Sequence, residues 1–310
     1  MKLVYFGSPE ASVAPLSALH AASHEIVLVV SGADKRRGRG RSLTPTPVKA
    51  AALELGLPVT DSLTDVMEVS ADLGVVVAYG RIIRPEMLAH LSMVNLHFSL
   101  LPRWRGAAPV ERAILAGDPT TGVCVMAVEE GLDTGGVFAR EEVVVEPGET
   151  AAELRSRLTT VGAELLVRTL DEGLGEPIPQ SDEGVTYAEK IRTEDRMLRS
   201  EMTTEQFLRV VRIGGAWTEF RDKRLKIGAA TSADQPSADQ PGADQPGAAA
   251  GADQPGQPGQ LAPGVFIGDT LLGTADGAVE LVKVQPEGKA EMSALDWARG
   301  ARPSGERIGT

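Results

Sequence analysis

A chain of 310 residues is longer than one hydrophobic core usually serves, and its 42% hydrophobic residues are enough to fill two domains. Its apolar runs all fall short of the roughly 18 residues that span a bilayer, and its start lacks the apolar region of a signal peptide, so we exclude an integral membrane protein and expect a cytoplasmic one. The formal net charge of −12 argues against a general nucleic-acid binder, because such proteins gain most of their affinity from cations.

The first half of the chain alternates between strand-like and helix-like segments. Short apolar runs rich in β-branched residues predict strands, and apolar residues at helical spacing predict the helices between them. The predicted strands are residues 2–6, 25–30, 73–77, 93–99, 122–128 and 137–145. The predicted helices are residues 11–22, 46–55, 85–91, 108–116 and 150–170. This alternation predicts an α/β fold with a doubly wound, mostly parallel sheet.

The alternating pattern stops after Gly173, and the rest of the chain is organised differently. One predicted helix at 204–211 precedes short strand-like segments at 224–227, 271–274 and 278–284. Short strands separated by turn residues are typical of a small β-barrel. We therefore expect a first domain at residues 1–185, a linker at 186–200 and a second domain at 201–310.

A low-complexity repeat interrupts the predicted barrel. Residues 233–256 repeat Ala-Asp-Gln-Pro-Gly/Ser four times, and such a sequence has no apolar face with which to build a core. Because strands are predicted on both sides of it, residues 232–259 are interpreted as a disordered insertion within the second domain, which we expect to be dispensable for activity.

The turn after the first strand does not have the pattern of a nucleotide-binding loop. Residues 6–10 read Phe-Gly-Ser-Pro-Glu, without the G-x-G-x-x-G spacing that brings a helix N-terminus onto a pyrophosphate, and no P-loop motif occurs. Nicotinamide and nucleoside triphosphate cofactors are therefore not expected.

The strand at 93–99 carries polar side chains on one face. Because side chains alternate along a strand, Asn95, His97 and Ser99 project together, while Leu96 and Phe98 project from the other face. An amide, an imidazole and a hydroxyl in a row can bind a developing oxyanion and move a proton. The alternative is an edge strand whose polar residues face water, and the spacing alone does not decide between the two.

A glycine-rich turn presents a carboxylate after another predicted strand. The segment Gly-Leu-Asp-Thr-Gly-Gly at 131–136 places Asp133 where it can orient an imidazole or accept a proton. An Asp beside glycine is also ordinary turn chemistry. The approach of Asp133 to His97 is therefore a hypothesis that the structure must test.

These residues carry a resemblance to the methionyl-tRNA formyltransferase family, over nearly the whole chain apart from the repeat and the last few residues. The matching strings, in chain order, are FGSP, GRGRSLTPTPVK, VVVAYG, NLHFSLLPRWRGAAPVERAI, GLDTGGVF, VTYAEKI and VQPEGKAEMSA. The string SLLPRWRGAAP is highly specific, whereas FGSP alone is weak. The resemblance implies a Rossmann-like formyltransferase domain followed by an OB-like barrel that binds tRNA.

The resemblance also implies a reaction and a set of site residues. The family transfers a formyl group from 10-formyltetrahydrofolate to the α-amino group of methionine on initiator tRNA, in translation initiation. By motif, Asn95, His97 and Asp133 are similar to the family's catalytic residues. The segment Ser99, Leu100, Leu101 and Pro102 is similar to its tetrahydrofolate-binding segment. No metal and no covalent enzyme intermediate are expected.

Positive charge is concentrated in one short segment. Five cations fall within residues 34–41, namely Lys35, Arg36, Arg37, Arg39 and Arg41. By the same resemblance this segment is similar to a flexible loop that orders on the acceptor stem of tRNA, since glycine-spaced arginines can meet phosphates. The alternative is a solvated charged loop. A milder basic surface for tRNA is expected on the second domain, from Arg209, Arg212, Arg221, Lys223, Arg224 and Lys226.

Other functions share parts of this pattern. A formyltransferase acting on a small amine, such as an amino sugar nucleotide or a glycinamide nucleotide, would share the Asn, His and Asp residues, but would not need the basic segment or the barrel. A hydrolase would release formate without an acceptor. A catalytically silent RNA-binding protein would have the same fold without the activity.

The remaining reactive side chains are assigned structural roles. Cys124 stands alone within an apolar stretch, which predicts a buried thiol, excludes an intrachain disulfide and is typical of a reducing compartment. His20, His24 and His90 are expected at the surface or at helix ends, without zinc-ligand spacing. The family resemblance and the lack of an apolar seam favour a monomer.

Overall fold

The computed structural model describes residues 1–37, 42–233 and 262–309, which divide into two compact units, Met1–Lys190 and Ile191–Thr310. Of the predicted site residues, Arg39 and Arg41 lie outside the described residues, as do the side chain of Arg37 and the repeat from 234 onward. The limits of the linker at 186–200 stay a prediction.

The first unit is an α/β structure. Its helices are α1 Val13–Ala21, α2 Pro47–Glu54, α3 Pro85–His90, α4 Pro109–Ala116 and α5 Ala151–Glu172. Its strands are β1 Lys2–Gly7, β2 Glu25–Val30, β3 Lys35–Arg37, β4 Ser42–Thr44, β5 Val59–Thr60, β6 Leu73–Val77, β7 Met93–His97, β8 Arg105–Gly106, β9 Thr120–Ala127, β10 Val137–Val144 and β11 Tyr187–Ala188. The longest helix, α5, begins with a capping box in which Thr150 and Glu153 satisfy each other's main-chain N–H groups.

One seven-stranded sheet organises this unit, in the order β10-β9-β7-β6-β1-β2-β5. The five strands β7, β6, β1, β2 and β5 are parallel to one another, whereas β9 and β10 run antiparallel to their neighbours. The predicted doubly wound, mostly parallel sheet is therefore confirmed. Strand β6 is buried along its whole length, as its unbroken apolar sequence predicts for a central strand.

The second unit is built on an antiparallel sheet. Its helices are α6 Thr204–Arg212 and α7 Ala294–Ala301. Its strands are β12 Ala216–Phe220, β13 Lys223–Ala233, β14 Phe266–Ile267, β15 Leu271–Gly273, β16 Ala278–Pro286 and β17 Met292–Ser293. Strand β16 pairs with β13 on one side and with β15 and β17 on the other. Irregular pairing within β13 bends the sheet, in keeping with the predicted OB-like barrel.

An aromatic cluster fills the core of the second unit. The rings of Phe220, Phe266 and Trp297 lie with centroids 5.2 to 5.6 Å apart, a geometry that adds to the free energy gained by burial. Four elements of this unit, β12, β14, β17 and α7, are missing from the predicted elements, although three of them contribute Phe220, Phe266 and Trp297 to the cluster.

Candidate catalytic site

Strand β7 directs Asn95 and His97 away from helix α5. A Cβ at Gly162 of α5 would lie 3.0 Å from Leu96 Cδ2, so Leu96 packs directly on that helix and its two neighbours in the strand face the other way. Strand β7 lies between β6 and β9, which makes the edge-strand alternative for the polar row wrong. His97 is buried and Asn95 is half-buried.

The glycine-rich turn brings Asp133 to His97. Asp133 Oδ2 lies 3.6 Å from His97 Nδ1 and accepts a hydrogen bond from the main-chain N–H of Gly106 at 2.8 Å. Asp133 has a φ of 52°, a left-handed conformation that Asp tolerates better than most side chains. A Cβ at Gly135 would lie 2.0 Å from Ala127 O, so only glycine allows the turn to pack this closely against β9. The structure therefore confirms the predicted approach of Asp133 to His97.

The other imidazole nitrogen is held by the main chain. His97 Nε2 lies 2.9 Å from the carbonyl oxygen of Trp104. Because a carbonyl oxygen can only accept, Nε2 must carry the proton and donate it. In the neutral ring, Nδ1 is then the basic nitrogen, and it is the one that faces Asp133.

Residues 103–106, which contact both His97 and Asp133, are held in place by hydrogen bonds to other segments of the first unit. Asp118 accepts hydrogen bonds from Trp104 Nε1 at 2.7 Å and from Arg103 Nε at 2.8 Å. The main-chain N–H of Trp104 donates to Thr186 Oγ1 at 2.8 Å. Gly106 has a φ of 118°, and a Cβ there would lie 2.9 Å from Ala188 O, so this position requires glycine.

The four residues of the predicted folate segment differ in burial. Ser99 and Leu101 are buried, and the Ser99 hydroxyl donates to Arg103 O at 2.6 Å. Leu100 and Pro102 are half-buried. Leu101 and Pro102 border a cavity of about 330 Å³, whose other walls come from residues 137–140 and 178–181.

The predicted basic segment is a β-hairpin at its base. Strands β3 and β4 are antiparallel, with Lys35 opposite Thr44 and Arg36 opposite Leu43. Both Lys35 and Arg36 are exposed. The pairing gives these two cations a defined place, where the sequence predicted a loop.

The single cysteine and the three histidines other than His97 lie outside the site described above. Cys124 is fully buried, as predicted, and burial raises the pKa of its thiol to about 11, so it is a neutral side chain at physiological pH. His20 and His90 are exposed, and His24 lies at the C-terminal end of α1, where its main-chain N–H donates to Leu19 O. His24 is buried with Nε2 3.4 Å from Asp171 Oδ1, and its desolvation lowers its pKa.

Several contributors to the site were missed by sequence reasoning. They act through main-chain groups or through side chains distant in sequence, and they are Trp104, Gly106, Asp118, Gln180 and Thr186. The glycine, proline and aromatic residues that follow β7 indicate an ordered stretch there. They do not indicate which groups its main chain contacts.

Two family models cover most of the chain. The model described as "Formyl transferase" matches residues 1–170, and the model described as "Formyl transferase, C-terminal domain" matches residues 190–302. Among the described residues, no helix combines the length and apolar character that crossing a membrane requires.

Curated relatives match along the full length. The chain is 42% identical to the methionyl-tRNA formyltransferase of Thermobifida fusca, covering 100% of this chain and 99% of that protein. It is also 42% identical to that of Streptomyces coelicolor, covering 100% of each, and 40% identical to that of Roseobacter denitrificans, covering 97% and 96%.

Solved structures share the fold at low sequence identity. The N-formyltransferase from Helicobacter canadensis, solved with folinic acid and dTDP-3-aminofucose, aligns with a TM-score of 0.64 at 15% identity, over 92% of this chain and 99% of that one. HypX from Aquifex aeolicus, solved with tetrahydrofolic acid, aligns with a TM-score of 0.60 at 16% identity, over 96% of this chain. This chain spans about half the length of HypX, 46%.

Proposed function

Because the chain belongs to the methionyl-tRNA formyltransferase family, we propose that it transfers a formyl group from 10-formyltetrahydrofolate to the α-amino group of methionine on initiator tRNA. The observation that carries the chemistry is the 3.6 Å approach of the Asp133 carboxylate to His97 Nδ1. The full-length similarity to curated relatives supports the choice of acceptor.

His97 and Asp133 form a unit that can hold and move a proton. Nε2 of His97 is engaged with the Trp104 carbonyl, so only Nδ1 can exchange a proton with a reactant. When Nδ1 is protonated, the imidazolium and the Asp133 carboxylate form an ion pair. As the methionyl amine attacks the formyl carbon it must lose a proton, and Asp133 removes it directly or through a water. When the tetrahedral intermediate collapses, the bond between the formyl carbon and N10 of the folate breaks, and the proton held by the Asp133–His97 pair passes to N10 of the tetrahydrofolate that leaves.

Asn95 and His97 stabilise the negative charge that develops on the formyl oxygen. They project from the same face of β7, so the Asn95 carboxamide and a protonated Nδ1 can donate to one oxygen. A single preorganised donor of this kind contributes about 100- to 1,000-fold to the rate. The residues predicted to be catalytic therefore divide into two oxyanion donors and one proton acceptor.

The folate donor is assigned to the wall formed by the segment after β7. Leu101 and Pro102 border the adjoining cavity and can contact an aromatic ring system, whereas Ser99 is buried and donates to Arg103 O, and Leu100 packs against Gly122 of β9. The adjoining cavity of about 330 Å³ is large enough for part of a folate. When bound, the folate supplies the activated formyl group.

The tRNA is assigned to exposed cations of both units. Lys35 and Arg36 are exposed on the β3–β4 hairpin, and Arg37, Arg39 and Arg41 continue the basic sequence. In the second unit, Lys223, Arg224 and Lys226 are exposed on β13. Cations of this kind bind phosphates without reading the base sequence. We expect a cytoplasmic monomer.

The test is transfer of labelled formyl from 10-formyltetrahydrofolate to initiator methionyl-tRNA, elongator methionyl-tRNA and a small amine such as an amino sugar nucleotide. We expect fast transfer to the initiator tRNA only. Transfer to the small amine alone would establish the small-acceptor alternative. Formate released without an acceptor would indicate a hydrolase, and absence of folate binding in calorimetry would leave an RNA-binding protein.

A further inference from the structure

Gln180 connects the two segments that hold the catalytic pair. Its Nε2 donates to the carbonyl oxygens of Asp133 and Gly135, each at 2.8 Å. Its Oε1 accepts from Arg105 Nε at 3.0 Å and from Arg105 Nη2 at 2.7 Å. One side chain therefore ties the Asp133 turn to strand β8, which carries Gly106.

The orientation of this amide follows from its partners. A guanidinium can only donate and a carbonyl can only accept, so the oxygen of Gln180 must face Arg105 and the nitrogen must face the turn. Both N–H groups and both oxygen lone pairs of the Gln180 amide are engaged in these hydrogen bonds. The side chain therefore has no alternative rotamer of equal energy.

The position of Gln180 is itself fixed to the sheet. The main chains of Val137 and Ile178 exchange two hydrogen bonds, at 2.8 and 2.9 Å, just before Gln180. By contrast, the turn that carries Asp133 exposes Gly131, Leu132 and Thr134 to solvent. With few packing contacts on its outer side, the turn depends on hydrogen bonds from within for a defined position.

Resting on the proposed function, we propose that Gln180 is a positioning residue, which holds the Asp133 carboxylate at the distance from His97 that proton transfer requires. Gln180 borders the cavity assigned to the folate, but its amide atoms are all engaged with Asp133, Gly135 and Arg105, which leaves none to bind a reactant. Its effect passes through the carbonyl of Asp133, and hence through the same main chain whose φ of 52° sets the direction of the carboxylate. Displacement of a reacting group by about 1 Å can cost about 100-fold in rate.

Two substitutions separate hydrogen-bond donation from simple packing. Gln180→Glu keeps the length of the side chain and its acceptor for Arg105, but loses both N–H groups. Gln180→Ala removes all four hydrogen bonds. In formyl transfer to initiator methionyl-tRNA we expect each to lower kcat by about 10- to 100-fold with the KM for the tRNA unchanged. Arg157→Ala is the matched control, since Arg157 makes a similar set of contacts to Glu149 and Val144 O in the same unit, and it should keep wild-type kcat.

A double-mutant cycle with Asp133→Asn provides the decisive measurement. If Gln180 acts through the carboxylate, adding Gln180→Glu to Asp133→Asn should lower kcat less than about twofold further. An additive loss, or wild-type kcat in Gln180→Glu, would overturn the proposal. If the wild-type chain itself transfers no formyl group, the proposed function fails instead, which keeps the two outcomes distinct.

Discussion

The main-chain carbonyl of Trp104 accepts a hydrogen bond from His97 Nε2 at 2.9 Å. Two residues later, the main-chain N–H of Gly106 donates to Asp133 Oδ2 at 2.8 Å. One short stretch of main chain therefore fixes the tautomer of the imidazole and the direction of the carboxylate together. The two side chains remain 3.6 Å apart, a distance that a proton crosses only when one of them moves or a water intervenes.

Asp133→Asn should abolish most of the activity without unfolding the protein. Asn adopts the left-handed conformation as readily as Asp, and its amide oxygen can still accept from Gly106 N–H. It cannot take a proton from the amine, so we expect kcat to fall by about 100- to 10,000-fold. Single-turnover formyl transfer measures the rate, and thermal unfolding verifies the fold.

A second His and Asp pair in the same unit provides the control for this substitution. His24 and Asp171 lie 3.4 Å apart, but neither takes part in the proposed chemistry. Asp171→Asn should therefore retain the wild-type rate. A wild-type rate in Asp133→Asn, or an equal loss in both variants, would contradict the role assigned to Asp133.

Asp118→Ala should weaken both the fold and the reaction. The Asp118 carboxylate is 13% exposed and accepts from Trp104 Nε1. Without it, the indole N–H loses its partner, and we expect the free energy of unfolding to fall by about 1 to 3 kcal/mol. Because Trp104 also carries the carbonyl that orients His97, kcat should fall as well. Urea denaturation and steady-state rates measure the two effects.

An exposed carboxylate shows what the loss of a surface pair costs. Asp296 pairs with Arg299 across an exposed turn of α7, at 2.8 Å and with 60% of its side chain exposed. Asp296→Ala should change the free energy of unfolding by less than about 1 kcal/mol. An equally small change in Asp118→Ala would show that the Trp104 segment is held by other contacts.

Periodicity and local motifs predicted most strands of the sheet and suggested the approach of Asp133 to His97. Strands β1, β2 and β6 are largely apolar runs, and alternation along β7 placed Asn95 and His97 on one face, whereas the two-residue strand β5 was missed. Asp133 could be suggested because its glycine-rich turn follows a strand. Its approach to His97 depends on the antiparallel pairing of β9 with β7, which no local pattern encodes.

The supporting contacts could not be predicted because they join distant segments through main-chain atoms. Gln180 lies 75 residues from Arg105 and 47 from Asp133 along the chain, and nothing near it signals either partner. The burial of His24 could not be predicted for the same reason, since it depends on packing beside Asp171 of α5. Strand β12 was missed because it directly follows Gly214 and Gly215, which indicate a turn.

Neutralising the base of the basic hairpin should weaken tRNA binding in a salt-dependent manner. Lys35 and Arg36 are exposed on β3. We expect the slope of log affinity against log salt to flatten by about one unit for each cation replaced with Ala, because each phosphate contact releases counterions. Filter binding across a salt series measures this slope.

Arg168→Ala controls for a loss of positive charge alone. Arg168 is an exposed cation of the first unit, with 53% of its side chain exposed, and it pairs with Glu141. The variant should leave the slope unchanged. An unchanged slope after substitution of Lys35 and Arg36 would instead indicate that the hairpin is a solvated charged surface.

Cys124 should behave as a structural thiol whose burial makes stability depend on alkaline pH. Burial raises its pKa to about 11, whereas an unfolded cysteine titrates near 8.5. Its contribution to stability is therefore complete below about pH 8.5 and is lost as pH rises towards 11, because only the unfolded chain then releases the proton. In urea denaturation, the wild type should lose stability over this interval faster than Cys124→Ala. The raised pKa of Tyr5 is common to both proteins and cancels.

Rapid alkylation of native Cys124 at neutral pH, with loss of formyl transfer, would contradict this assignment and point to an accessible nucleophile.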